Sequence, residues 1–173
     1  PLAGASTSAA WQSSSPRWES LCGPRIFSSI SLLPPSRLGP SSNASPAWSP
    51  DGSEIIYSSD ERGGPQLYRI SAAGGMGRLV PTGYGYCTEP SWSPDGKKVA
   101  FTVRQGGFAI AVMDLATGSA RIVAEGQDPS WGADSRHIIY SDGSSIILLD
   151  TIKGRRTPVI SGLAKVSEPY WSR

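Results

Sequence analysis

The chain has 173 residues, with 16 lysines and arginines against 14 aspartates and glutamates, one histidine and two cysteines. A net charge of +2 with no basic cluster argues against a nucleic-acid partner. Two cysteines cannot build a structural zinc site by themselves, and no apolar run approaches the length of a membrane-spanning helix.

Residues 1–42 hold twelve serines and six prolines but a single acidic residue, Glu19, against three arginines. They show neither strand alternation nor regular turn punctuation. Two readings stay open: a disordered Ser/Pro-rich segment, or an out-of-frame translation ahead of a sound frame. The stretch 26–33 is too interrupted by serine to be a signal-peptide core. Cys22 lies here and Cys87 far downstream, and a disulfide between them is not expected.

From residue 43 onward one phrase recurs. Pro46-Ala47-Trp48-Ser49-Pro50-Asp51-Gly52 is followed by an apolar run at 54–58, with further strands at 66–71 and 77–80 and turns at 60–64 and 72–75. Pro90-Ser91-Trp92-Ser93-Pro94-Asp95-Gly96 opens a second copy, with strands at 98–103, 108–115 and 120–124. Pro129-Ser130-Trp131-Gly132-Ala133-Asp134-Ser135 opens a third, with strands at 137–141, 145–150 and 157–160. Pro169-Tyr170-Trp171-Ser172 begins a fourth. The tryptophans are 44, 39 and 40 residues apart. In the turn, proline presets φ, aspartate suits the next place, and glycine accepts the positive φ that re-enters a strand.

Four short strands per copy, joined by tight hairpins and without helical spacing, predict an all-β chain. Repetition at about 40 residues predicts a partial β-propeller: three four-stranded antiparallel blades plus the start of a fourth. An ordinary β-sandwich does not account for the recurrence. The tryptophan strand is expected innermost, with Trp48, Trp92, Trp131 and Trp171 packed between blades. Asp114 and Asp150, each ending a third strand, are expected to cap hairpin turns. Propellers use roughly four to eight blades. Three do not close a circle, so residues 43–173 read as an incomplete propeller from a longer protein, expected to be unstable or oligomeric alone.

The phrase Trp-Ser-Pro-Asp-Gly before an apolar strand resembles the propeller repeat of the TolB family. Ser58-Ser59-Asp60-Glu61-Arg62-Gly63-Gly64-Pro65-Gln66-Leu67-Tyr68 and Gly107-Phe108-Ala109-Ile110-Ala111-Val112-Met113-Asp114-Leu115 carry the resemblance further. It implies a periplasmic, non-enzymatic scaffold of the Tol–Pal system. Its partners would be the peptidoglycan-associated lipoprotein and other Tol proteins, and its roles envelope integrity, cell division and colicin import. The repeat also occurs in propellers attached to serine peptidases. The rival reading is therefore a substrate-gating propeller of a prolyl-oligopeptidase-like enzyme that lacks its hydrolase domain. A secreted propeller that binds carbohydrate or metal is a third.

Ser45, Glu89, Asp128 and Glu168 precede the repeat prolines. If those prolines start the innermost strands, the three carboxylates stand near one mouth of the channel as an acidic rim for a cationic surface or a cation. Solvated loop carboxylates are the alternative. The turns after each second strand add Arg62, Arg104 and Gln105, expected on the same face. No Gly-x-Ser-x-Gly occurs, and one histidine makes no triad, so no enzyme is expected. Gly83-Tyr84-Gly85-Tyr86 lacks a third glycine at dinucleotide-loop spacing and reads as a turn. Neither cofactor nor metal is implied.

Overall fold

The computed structural model describes residues 41–162 and 164–171. The readings placed on residues 1–40, Cys22 among them, lie outside the described residues. The first blade is β1 (Asn43–Trp48), β2 (Glu54–Ser59), β3 (Gln66–Ser71) and β4 (Arg78–Leu79). The second is β5 (Cys87–Trp92), β6 (Lys98–Gln105), β7 (Gly107–Asp114) and β8 (Ala120–Glu125). The third is β9 (Gln127–Trp131), β10 (His137–Ser141), β11 (Ile146–Asp150) and β12 (Arg156–Ile160). Each blade is one antiparallel sheet in sequence order, and among the described residues there is no helix. The predicted partial β-propeller is the fold adopted. Strand β4 is shorter than the sequence suggests. It pairs only through Leu79 and Arg78, and at Gly77 any Cβ would collide with the Tyr57 hydroxyl.

The three first hairpins share one geometry. The amide of Gly52 donates to the Ser49 carbonyl at 2.9 Å, Gly96 to Ser93 at 2.9 Å, and Ser135 to Gly132 at 3.2 Å. The aspartates hold these turns: Asp51 accepts from the Ser53 amide, Asp95 from Lys97, and Asp134 from Arg136 and His137. The third copy, with Ala133 and Ser135 where the others have proline and glycine, makes the same turn because Ser135 takes the left-handed conformation at φ 56°, beside 70° and 71° at Gly52 and Gly96. Asp114 and Asp150 cap their hairpins as expected, accepting from the amides of Ala116 and Thr117 and of Ile152 and Lys153.

Strand β2 is buried from Ile55 to Ser59 and β6 from Val99 to Val103. A sheet stacked on both faces asks for continuous apolar runs rather than alternation, and Val99-Ala100-Phe101-Thr102-Val103 supplies one. The blades converge at their first strands: β1 lies against β5 and β5 against β9, while β4, β8 and β12 do not touch one another. The tryptophan strands are therefore innermost.

Each interior tryptophan packs on the preceding blade. Trp92 joins Ile56, Leu67 and Phe101, and Trp131 joins Ala100 and Val112. Trp48 and Trp171 depart from the expected pattern, being 42% and 37% exposed beside 5% and 4% for Trp92 and Trp131. No described blade precedes Trp48. Trp171 reaches the third blade near Gly132, but no described strand of its own blade covers its far side.

Candidate functional site

Strand register places the second-hairpin turns at the end of each blade opposite the first-hairpin turns. Ser59 faces Gln66, Gln105 faces Gly107, and Ser141 faces Ile146. Arg62, Arg104 and Gln105 therefore sit together at that end, all exposed. The residues ahead of the prolines lie toward the same end, because Ala44 pairs with Ser58, Thr88 with Thr102 and Gln127 with Ser141.

At Ser45, Glu89 and Asp128 the first strand bulges. Ser45, Glu89, Asp128 and Glu168 have φ of 50°, 53°, 57° and 54°, a region costly for any residue but glycine. The bulge carries the carboxylates sideways toward the next blade. Glu89 Oε2 accepts the Thr102 hydroxyl at 2.6 Å and the Asp128 amide at 3.2 Å. Asp128 Oδ2 accepts the Glu168 amide at 2.9 Å. The sequence offered a rim or solvated loops; the structure shows carboxylates engaged from blade to blade. Glu89 is half-buried, Asp128 is buried and Glu168 is exposed. Burial pushes the Glu89 carboxyl above the usual glutamate range, the Thr102 hydroxyl lowers it in part, and the Asp128 side chain adds to the rise.

Two further arrangements escaped the sequence reading. Ser91 and Ser130 each stand one place before a tryptophan and accept the amide of the next tryptophan, from Trp131 at 3.3 Å and Trp171 at 3.1 Å. Serine at one fixed offset in two repeats was the available signal. At the rim, Arg104 lies over the Phe108 ring at 5.9 Å, and Tyr86 is 6.3 Å from that ring. Phe108 is 45% exposed. An arginine on an exposed aromatic pair is the composition of an energetic centre in protein interfaces. Among the described residues no three His, Cys, Asp or Glu side chains converge as a metal site. Cys87 is a buried free thiol, raised by burial and partly offset by Thr82.

Stacked four-stranded blades joined at their first strands, with loops presented at one end, define a β-propeller. The model of the TolB β-propeller domain family matches residues 36–173, and the chain belongs to that family. The Tol-Pal system protein TolB of Bordetella pertussis is 33% identical over 140 residues, covering 76% of this chain and 32% of the relative. The chain thus spans about a third of that protein's length. Among solved structures, TolB from Acinetobacter baumannii superimposes with a TM-score of 0.66 at 24% identity, over 79% of this chain and 36% of that one. A puromycin-hydrolyzing peptidase from Mycobacterium tuberculosis does so at 0.58 and 19% identity, over 72% and 21%. At these identities the solved structures establish the fold alone.

Proposed function

We propose that residues 43–173 are the propeller part of a TolB-like, non-enzymatic periplasmic scaffold. It binds the peptidoglycan-associated lipoprotein and other Tol proteins, and so supports envelope integrity, cell division and the import of colicins. The observation that carries this reading is the 33% identity to a Tol-Pal TolB over 140 residues.

The partner surface is the end that holds Glu89, Asp128, Glu168, Arg62, Arg104 and Gln105. Glu89 and Asp128 fix the blade spacing there, while Arg62, Arg104, Gln105 and Glu168 stand exposed. Their mixed charges suit a partner that offers charges of both signs. The peptidase reading has only a shared fold behind it, since its likeness stays at 19% identity.

The test is calorimetric titration of the full-length protein encoded by the gene with purified peptidoglycan-associated lipoprotein. Saturable binding is expected, weakened about tenfold by Arg104→Glu and by Glu168→Lys at low salt. No heat of binding at any concentration would overturn the partner. Binding indifferent to both reversals would overturn the surface.

A further inference from the structure

At the end of the blades opposite that rim, the third hairpin of each blade folds back onto the first. The amides of Ala72, Leu115 and Thr151 donate to the carbonyls of Ser53, Lys97 and Arg136, at 2.8, 2.9 and 3.1 Å. The first-hairpin turns are in turn neighbours from blade to blade. A Cβ at Gly96 would touch Pro50, and the Asp95 amide donates to Ser135 Oγ at 2.9 Å. First and third turns of all three blades therefore belong to one end of the molecule.

That end carries two protruding apolar side chains. Met76 and Ile152, on the third turns of blades one and three, are 80% and 73% exposed, and neither joins a buried apolar cluster. One exposed aliphatic residue is ordinary. Here there are two, each at a turn and each flanked by exposed cations: Arg78 beside Met76, and Lys153, Arg155 and Arg156 beside Ile152. Arg156 reaches the Val123 carbonyl of blade two at 3.5 Å. Between those blades lies a cleft of about 480 Å³ whose walls include Arg121, Val112, Val123 and Ile152.

The carboxylates of this end do not cancel its cations. Glu54 is paired with Arg69 and Asp150 with Arg136. Lys97 and Lys98 stand beside Asp95, and Lys98 beside Asp114 as well. Asp51 and Asp134 remain, the latter bonded to the His137 ring. Against them stand Arg78, Arg121, Lys153, Arg155 and Arg156, which form no ion pair among the described residues. At the rim the balance reverses. Asp60, Glu61, Glu125 and Asp142 join the three carboxylates already placed there, against Arg62, Arg104 and Lys165. An anionic surface therefore attracts one end of the molecule and repels the other, which orients it on approach.

We propose that this end docks on an anionic lipid bilayer. The five cations meet the phosphate headgroups, and Met76 and Ile152 enter the boundary beneath them. A bilayer receives a protruding side chain without a matching pocket. An acidic polypeptide would need a pocket placed for each tip, and a nucleic acid rewards only the cations. The surface is remote from the rim and does not depend on the partner assigned to it.

The test is co-sedimentation of the full-length protein with vesicles of phosphatidylcholine containing about a third phosphatidylglycerol, beside vesicles of phosphatidylcholine alone. Binding is expected to the anionic vesicles at low salt and to weaken as salt is added. Lys153→Gln combined with Arg155→Gln is expected to weaken it about thirtyfold, near fivefold for each charge. Met76→Ser combined with Ile152→Ser is expected to weaken it about tenfold. All four side chains are exposed, so both variants are expected to melt as the native protein does. Poly-glutamate offers negative charge without a bilayer and is expected to bind far more weakly than the vesicles. No sedimentation with anionic vesicles, equal sedimentation with neutral ones, or full affinity in either double variant would overturn the proposal. Tight binding of poly-glutamate that ignores the serine variant would overturn it too, and assign the surface to an acidic polypeptide.

Discussion

Blades one and two meet through one large apolar cluster in which Ile56, Leu67, Trp92, Val99 and Phe101 are buried together. Blades two and three meet through two smaller clusters, around Tyr140 and around Trp131, and through side-chain hydrogen bonds that, among the described residues, the other seam lacks. Glu89 and Thr102 take the Asp128 amide, Ser91 takes the Trp131 amide and Ser135 takes the Asp95 amide. The corresponding places at the first seam are Ser45, Ala47 and Gly96. A backbone bond from the Cys87 amide to the Pro65 carbonyl, at 2.8 Å, stands there instead. The same blade can thus be fastened chiefly by shape or by directional side-chain contacts. Apolar contact sets spacing without register, whereas the hydrogen bonds fix both.

The largest expected break is at the apolar seam. Trp92→Ala should destabilise the protein by about 3–5 kcal/mol, the cost of removing a buried aromatic from a close-packed site. Trp131→Ala should cost less, because the amide bonds of residues 128 and 131 survive truncation of the side chain. Urea denaturation of the full-length variants measures both. Equal losses would show that the polar bonds do not hold the second seam.

A smaller effect is expected at the carboxylate. Glu89→Ala leaves the Thr102 hydroxyl without its acceptor, while the Asp128 amide keeps Thr102 Oγ1, for a loss of about 1–3 kcal/mol. Glu89→Gln keeps an acceptor oxygen and should recover most of it. Thermal melts at neutral pH separate the two. A glutamine variant as damaged as the alanine one would mean that charge, not hydrogen bonding, joins the blades.

The hairpin turns and the Glu89 contact should also respond oppositely to pH. Asp51 and Asp134 are held at about 2, against about 3.9 for an unperturbed aspartate. Their turns contribute stability above about pH 4 that is lost as pH falls toward 2. Glu89 has a raised value, so its contribution is greatest below the usual glutamate range and shrinks as pH rises through the raised value. The advantage of the native protein over Glu89→Gln should therefore narrow between pH 4 and neutrality. Urea midpoints across that range check the sign, and an advantage that widens with pH contradicts it.

How much of this was legible in the sequence depends on whether a feature is local. The Trp-Ser-Pro-Asp-Gly turns and the capping aspartates act within a few residues, so their chemistry is written beside them. The role of Glu89 was not legible. A residue before proline ordinarily stays extended, and only the left-handed bulge, held by a contact 39 residues away, turns its carboxylate onto the next blade. Trp48 and Trp171 share the motif of Trp92 and Trp131 but differ in burial, because burial depends on the neighbouring blade. Ser135 was readable only as a departure from glycine, yet it forms a bridge.

That last contrast allows the smallest and most constructive test. Ala47 stands where Ser91 and Ser130 hold the amide of the next tryptophan. Ala47→Ser should give the Trp92 amide an acceptor and stabilise the first seam by about 0.5–1.5 kcal/mol, the usual net worth of one such bond. Hydrogen exchange at the Trp92 amide should slow with it, since a new bond at that amide protects that amide first. Slower exchange without a higher melting temperature would mean that the apolar cluster already fixes the spacing of blades one and two. A stability gain in the expected range would mean that the polar fastening of the second seam can be moved, one side chain at a time, to the first.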